Sequence, residues 1–294
     1  MPRRALLLLN PGARQGEEGA DEVRAGLERH GFALVEEPEA TPDRFPGIIA
    51  RHRDTVDMVI VGGGDGTLNA AVQGLVGTGL PLGIIPLGTA NNVARTLAIP
   101  TGVADAAAVV AAGNLRRIDL GQVNDRYFFT TASLGLSVRI TEELSGEHKR
   151  RWGALAYALT AARVLATTPS FHAEIRWAGG VRSSRTLQIV VGNGRYYGAA
   201  LPVTEDAAID DARLDLYSLE VRGWWELPAL LPALRLGRHG EKRRVKALRA
   251  MSFDVSTRTP HDIDVDGEIG ARTPAHFRVV PSVLEVFAPV PATT

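Results

Sequence analysis

The chain contains no cysteine. That removes disulfides, thiolate nucleophiles and cysteine-ligated zinc together, and it suits a cytosolic protein. Net charge of one sign is also missing: 33 basic side chains face 33 acidic ones. A protein that coats nucleic acid carries a basic excess, so no nucleic-acid partner is expected. The 7 histidines are scattered, no two of them three to five residues apart, which excludes a helical zinc pair. No apolar run approaches the length of a membrane span. The start, Met1 to Asn10, mimics a signal peptide, but its run of five apolar residues is too short and reads as a buried first strand. Lysine is scarce as well (Lys149, Lys242 and Lys246 alone), and that skew towards arginine reads as a compositional habit without a function.

What is present is an ordinary globular composition, 45% apolar and 22% charged over 294 residues, long enough for two domains. The first part alternates apolar runs with helical segments. Strands are expected at Ala5–Leu9, Phe32–Val35, Met58–Val61 and Leu82–Ile85, and helices at Glu17–His30, Thr67–Val76 and Asn91–Leu97. This βαβα order implies a parallel sheet covered on both faces. After about Leu120 the texture becomes β-rich, with strands expected at Tyr127–Thr131, Glu174–Trp177, Leu187–Val191, Leu214–Leu219, Ser252–Val255, His276–Val280 and Val283–Phe287. Helices are expected at Gly153–Ala166 and Trp224–Leu236. The fold class is therefore an α/β N-terminal domain followed by a mainly antiparallel β domain.

The most informative stretch is Val59 to Asn69, where an apolar strand enters four glycines within five residues and then a helix. Glycines allow a sharp turn and close approach to the amides, and the helix start offers free N–H groups and a positive dipole end. Together these suit phosphate. Asp65 would repel a bare phosphate, and the conflict resolves if Mg²⁺ lies between carboxylate and phosphate. A second strand, glycine turn and helix follow at Ile84–Ala94. Parallel strands would bring both turns to one carboxyl edge, where open α/β sheets bind ligands. Neither a P-loop nor the Gly-x-Gly-x-x-Gly fingerprint is present.

Acids at positions 262, 264, 266 and 268 would share one face of an extended chain, although Asp266-Gly267 is also a turn signal. A second acidic cluster lies at Glu205–Asp215; it reads either as a solvated loop or as an oxygen site for a divalent cation. Gly192–Gly198 reads as a pocket wall or as a turn with packed tyrosines. Trp224–Leu236, with two tryptophans, runs into Arg235–Arg249, which holds seven basic residues against Glu241. That stretch suits peripheral contact with an anionic bilayer, or else a packed helix beside a solvated loop. Lys149–Trp152 is a weaker segment of the same kind.

Gly63-Gly-Asp-Gly-Thr67, Pro86–Asn91, Gly192–Gly198, Asp210-Asp211 and Asp266-Gly-Glu268 occur in that order. The chain resembles the diacylglycerol kinase catalytic-domain family, and within it the bacterial soluble lipid kinases, relatives of sphingosine and ceramide kinases. The resemblance covers nearly the whole chain. It implies a nucleotide-binding domain over residues 1–119, with 281–294 returning to it, and a β-rich lipid-substrate domain over 120–280. It implies that Thr41, Gly63, Gly64, Asp65, Gly66, Thr67, Leu68, Asn69 and Thr89 contact ATP. It implies that Asp65 organises Mg²⁺ and that Glu268 is the catalytic base. It further implies a structural Mg²⁺ held by the Asp211 side chain with the carbonyls of Ala208 and Arg213, and a link from Asp119 to the metal network. Two positions depart from the pattern: Asn92 stands where the family most often has Asp, and Ala212 replaces a usual Gly.

The expected activity is ATP- and Mg²⁺-dependent phosphorylation of a lipid hydroxyl, on a diacylglycerol-like acceptor, in the cytoplasm or at the inner membrane face. An NAD-kinase-like enzyme and a non-catalytic nucleotide- or lipid-binding regulator are the alternatives. A homodimer is compatible with the sequence, which does not encode the assembly.

Overall fold

The computed structural model describes residues 2–10, 16–37, 40–144, 163–164, 166–194, 196–197, 201–202, 208–221 and 245–290. It separates into two compact units, one of Met1–Leu120, Gly198–Ala200 and Pro281–Thr294, the other of Gly121–Tyr197 and Leu201–Val280.

The first unit opens with β1 (Arg3–Leu9), α1 (Gly16–Arg29) and β2 (Phe32–Val35), then a 3₁₀ turn at Pro42–Arg44 and α2 (Phe45–His52). β3 (Met58–Gly63), α3 (Asp65–Leu75), β4 (Leu82–Pro86), α4 (Asn92–Thr96), α5 (Val103–Ala112) and β5 (Leu115–Val123) follow. The sheet order is β2-β1-β3-β4, extended by the end of the last strand of the chain, and every pairing along it is parallel. β3 and β4 are buried along their whole length, which is why their sequences are continuously apolar. Register pairs Leu9 with Gly62 and Gly63 with Pro86, so the ends of β1, β3 and β4 emerge at one edge.

α2 and α5 escape the sequence pattern. α2 opens with Phe45-Pro46-Gly47, residues that signal a break, but proline is tolerated in a first turn because its missing N–H would have no helical partner there. α5 is mostly alanine and valine, with no clear polar face, and it stops at Gly113, whose φ of 77° suits glycine. A Cβ on Gly74 would lie 2.5 Å from the Pro46 Cα, so the glycine permits α3 to pack directly against α2.

The second unit contains β6 (Arg126–Phe128), β7 (Thr131–Gly135), α6 (Leu136–Leu144), β8 (Phe171–Trp177), β9 (Gly180–Thr186), β10 (Gln188–Gly192), β11 (Tyr196–Tyr197) and β12 (Leu201–Pro202). β13 (Leu214–Leu219), β14 (Val245–Ala250), β15 (Ser252–Thr257), β16 (Asp262–Val265), β17 (Glu268–Arg272) and β18 (Ala275–Phe287) complete it. One sheet runs β14-β13-β10-β7-β16-β17 and is antiparallel throughout. The start of β18 pairs antiparallel with β15, and β15 and β8 continue antiparallel to β9. Inward side chains of the two sheets, among them Leu134, Ile189, Val191 and Ile263 from one and Ile175, Phe253, Val255 and Phe277 from the other, form one core. This is a β sandwich, as an antiparallel pattern with one buried face demands.

Three expectations need correction. Tyr127–Thr131 is not one strand; it breaks into β6 and β7 because the backbone at 129–131 turns its N–H groups onto a carboxylate described below. His276–Val280 and Val283–Phe287 are a single strand, β18, of 13 residues. It continues through a left-handed residue, Ser282, with φ of 50°. The acids at 262–268 do not share a face, because Asp266-Gly267 is the two-residue turn between β16 and β17. Gly153–Ala166 lies outside the described residues except at 163, 164 and 166, which are helical, and Lys149–Trp152 and Trp224–Leu236 lie wholly outside them. Of the basic run, Lys246 and Arg249 are described, and both sit in β14; Arg249 is paired to buried Asp215 at 2.8 Å.

Candidate active site

Both glycine turns lie at the carboxyl edge of the parallel sheet, and they are in contact. A Cβ on Gly88 would fall 2.5 Å from the Gly64 Cα, and one on Gly64 would fall 3.2 Å from the Gly88 Cα. Only glycine at both positions lets the turns touch. Gly63 is hemmed in by the Thr67 side chain, 2.5 Å from where its Cβ would stand. The Asn10 amide donates to the Thr67 hydroxyl at 3.1 Å, tying the end of β1 to the same turn. The N–H of Leu87 donates to the Gly63 carbonyl at 2.9 Å.

Gly64 is the N-cap of α3 and brings no side chain to the first N–H groups of that helix. Those groups therefore face outward as anion donors. Asp65, at the first helical position, does not cap its own helix. Its Oδ1 accepts the Val93 N–H at 3.0 Å, and its Oδ2 accepts the Asn92 N–H at 3.1 Å and the Asn92 side-chain amide at 3.4 Å. Asp65 thus caps α4 from 27 residues away. Asn91 is left-handed, φ 50°, and its side chain closes the 88–91 turn by accepting the Gly88 N–H and donating to the Gly88 carbonyl, both at 3.0 Å.

Of the expected nucleotide contacts, Gly63, Gly64, Asp65, Gly66 and Thr67 meet in this turn, and Thr89 stands exposed on the neighbouring one. Leu68 and Asn69 are buried within α3. Thr41 precedes the 3₁₀ turn that leads into α2, and its carbonyl accepts the Arg44 N–H at 2.9 Å. The Asn92 Oδ1 is buried with no partner among the described residues, beside the Asp65 carboxylate. A carboxylate next to an orphaned amide oxygen is a donor set that fits a hard cation such as Mg²⁺. Asp119 is buried in β5 and accepts the N–H of left-handed Ser282 at 2.8 Å, holding the bend of β18.

In the second unit, Glu268 opens β17 directly after the Asp266-Gly267 turn. Both turn residues have positive φ, 50° and 98°, as a tight hairpin turn requires. The turn is pinned from two sides. The Asp264 Oδ1 accepts the Gly267 N–H at 2.9 Å. The Asp266 carboxylate accepts the N–H groups of Phe129 (2.7 Å), Thr130 (3.0 Å) and Thr131 (2.9 Å), and the Thr130 hydroxyl at 2.5 Å. Burial pushes the Asp266 carboxyl above its ordinary value, while the Thr130 hydroxyl and the three N–H groups pull against that rise. Asn193 braces the other side of the segment, donating to the Phe129 and Thr130 carbonyls at 3.1 and 2.8 Å. The Glu268 carboxylate is exposed and makes no hydrogen bond or ion pair among the described residues, so its oxygens are open to accept a proton. Asp266 and Thr130 carry no sequence signal beyond a turn and a strand, because their partners are 135 to 137 residues apart.

The acidic loop closes on Asp211. Its carboxylate accepts the Arg213 N–H at 3.0 Å and the Ala208 N–H at 3.5 Å, so the three expected positions do gather. Burial pushes the Asp211 carboxyl upward and the nearby Asp215 adds to the rise. The Ala208 and Arg213 N–H groups and the Arg249 charge, itself paired with Asp215, pull against that rise. Ala212 lies between Asp211 and Arg213 with φ of 55°, a conformation that glycine takes without strain.

The chain thus holds a parallel α/β unit with paired glycine turns and an antiparallel sandwich that carries an exposed glutamate. The comparisons with known proteins agree. Residues 4–123 match the diacylglycerol kinase catalytic domain, and residues 130–288 match the YegS C-terminal NAD kinase beta sandwich-like domain. The chain belongs to the diacylglycerol kinase family of bacterial lipid kinases, phosphotransferases whose acceptor is an alcohol. It is 28% identical over 298 residues to a diacylglycerol kinase of Staphylococcus saprophyticus, covering 98% of this chain and 96% of that one. A diacylglycerol kinase of Staphylococcus carnosus is likewise 28% identical over the same shares. The crystal structure of a diacylglycerol kinase from Bacillus anthracis superposes with a TM-score of 0.81 at 24% identity, over 100% of this chain and 99% of that one. Among the described residues no helix is long and apolar enough to cross a membrane.

Proposed function

We propose that the chain transfers the γ-phosphate of ATP, with Mg²⁺, to the hydroxyl of a diacylglycerol-like lipid. Residues 1–119 with 281–294 hold the nucleotide, and residues 120–280 take the lipid. The observation that carries the reading is Glu268, an unpaired carboxylate on a turn that two other carboxylates hold rigid.

The chemistry asks for positioning and charge neutralisation rather than a covalent intermediate. The amides after Gly63 and Gly64 bind the phosphates, and Thr41 and Thr89 complete the contacts. Asp65 fixes the two turns relative to each other through α4. Asp65 and the Asn92 Oδ1 would hold Mg²⁺, which would supply positive charge against the phosphates. Glu268 accepts the proton of the lipid hydroxyl as the hydroxyl oxygen attacks the γ-phosphorus and the bond to the bridging oxygen breaks, releasing ADP. Asp211, with the carbonyls of Ala208 and Arg213, would hold a structural Mg²⁺, and Asp119 would link to the metal network. Loss of a general base lowers rate by about 10²–10⁴-fold. Glu268→Gln should therefore bind ATP as the wild type does and transfer almost no labelled phosphate to diacylglycerol vesicles. Wild-type turnover by that variant would remove the base assignment. Labelled transfer to NAD instead of to any lipid would favour an NAD-kinase-like enzyme.

The acceptor sits in a bilayer, so the enzyme works at a surface. Segment 224–244, apolar then basic and outside the described residues, is our candidate for that contact. Stronger co-sedimentation with anionic than with neutral vesicles is expected, and equal binding would exclude the basic stretch from the role.

A further inference from the structure

Among the described residues the Arg126 Nε has no hydrogen-bond partner. The residue lies partly buried at the start of β6, paired through the backbone with Val123 of β5. Its Nε is buried, and the side chain forms no hydrogen bond or ion pair among the described residues. An unpaired buried donor costs free energy, more so on a charged group. Such a donor points to a partner that arrives from outside.

Its position says which partner. A Cβ on Gly270 would stand 3.5 Å from the Arg126 Nε, ordinary contact distance, so the arginine lies beside Gly270 of β17. Gly270 is the extra residue of a bulge: Ile263 pairs with Ala271 and Asp264 with Ile269, which leaves 270 between them. A bulge of this kind re-aims the side chains beside it. The same Gly270 position would be 3.3 Å from the Val265 Cγ2, so it turns to the face that Val265 occupies. Val265 pairs directly with Glu268, and directly paired residues present their side chains on one face. The Arg126 Nε therefore lies beside Gly270 on the face of β17 that Glu268 occupies, Gly270 being two residues from Glu268 along the strand (about 7 Å), and no Arg126–Glu268 ion pair forms among the described residues.

We propose that Arg126 is an anion-binding residue that takes a phosphate monoester beside Glu268, the group carried by the phosphorylated lipid. A guanidinium matches a phosphate by two parallel N–H···O bonds, and a desolvated Nε strengthens them. This rests on the reading of Glu268 as the base: the base faces the hydroxyl, and the arginine faces the phosphate that replaces the hydroxyl proton.

The test uses the whole chain. The Arg126 Nε–H resonance is followed during titration with inorganic phosphate, with vesicles carrying a phosphorylated diacylglycerol, and with vesicles of unphosphorylated diacylglycerol. We expect the resonance to shift with the phosphorylated lipid and not with the unphosphorylated one; a shift with inorganic phosphate at equal affinity would assign the site to free phosphate. Arg126→Gln should bind the phosphorylated lipid at least 10-fold more weakly, with Arg126→Lys recovering part of the loss and the melting temperature unchanged. A resonance indifferent to every phosphate source, or equal binding by Arg126→Gln, would overturn the proposal. Failure of the wild type to phosphorylate any lipid would instead overturn the function above, and the direct titration would still decide the anion site.

Discussion

The Asp65 carboxylate accepts the backbone N–H of Asn92 at 3.1 Å, which makes the acid of the first glycine turn the cap of the helix that follows the second. The sequence presents Asp65 as a charge poised for a cation. In the structure it is also a mechanical link between the two turns. Asp65→Ala should cost about 1–2 kcal/mol, as loss of a helix cap does, and should also abolish magnesium-dependent transfer. Denaturant unfolding and nucleotide binding measured on the same variant separate the two effects. A variant that keeps wild-type stability would show that the link carries no weight.

Gly88 tests the contact between the turns. An added methyl would meet the Gly64 Cα at 2.5 Å and the Asn91 Oδ1 at 2.8 Å. Neither neighbour is the free end of a flexible side chain. Gly88→Ala should therefore force the turns apart, cost about 1–3 kcal/mol and weaken ATP binding. Gly47 in α2 is the contrast, since nothing lies within 4 Å of its Cβ position. Gly47→Ala should raise stability by about 0.5–1 kcal/mol and leave ATP affinity alone. Calorimetric melting and nucleotide titration of both variants check this.

How much of this was legible in the sequence depended on distance along the chain. The parallel strands, the glycine turns and the antiparallel texture after Leu120 are local patterns, and they read correctly. The Asp266-Gly267 hairpin was visible as a turn signal. What the Asp266 carboxylate does was not, because its partners Phe129, Thr130 and Thr131 lie more than a hundred residues away. The break between β6 and β7 has the same cause. Asp119 read as a metal-linked acid; nothing in the sequence signals that it also accepts the N–H of Ser282, the residue that made one strand look like two. The family pattern suggested doubt at Asn92, yet its amide donates to Asp65 at 3.4 Å. Asn92→Asp would set two carboxylates against each other there, so its stability should become dependent on added Mg²⁺, unlike that of the wild type. Thermal melts with and without the cation would show the difference.

Ala212 carries a strain that its neighbours impose. It adopts φ of 55° between Asp211 and Arg213, while the Arg213 N–H bonds back to the Asp211 carboxylate. A non-glycine residue in this conformation costs about 1–2 kcal/mol; glycine relieves that strain but loses about 0.4–1 kcal/mol because its unfolded chain is freer. Ala212→Gly should therefore stabilise the protein by up to about 1 kcal/mol, read from denaturant midpoints at constant slope. A loss of stability would mean that the loop is not held in this turn.

Asp211 itself gives the pH prediction. Burial and the Asp215 charge raise its carboxyl above the ordinary range, against the Ala208 and Arg213 N–H groups and the Arg249 charge. A carboxyl whose folded value is raised favours folding while it is protonated. Its contribution is complete below the unfolded value and is lost as pH rises through the folded one. Without a divalent cation, the loop should thus be strained at neutral pH. A cation bound to the carboxylate reverses the sign, because it favours the charged form and draws the titration back down. The Asp211 side-chain carbon resonance should titrate above the ordinary carboxylate range in chelator and below that apparent value in Mg²⁺. Over the same interval, the melting temperature should fall with rising pH in chelator and hold steady with Mg²⁺. Indifference of the resonance to the cation would remove Asp211, and the carbonyls of Ala208 and Arg213 with it, from the metal site.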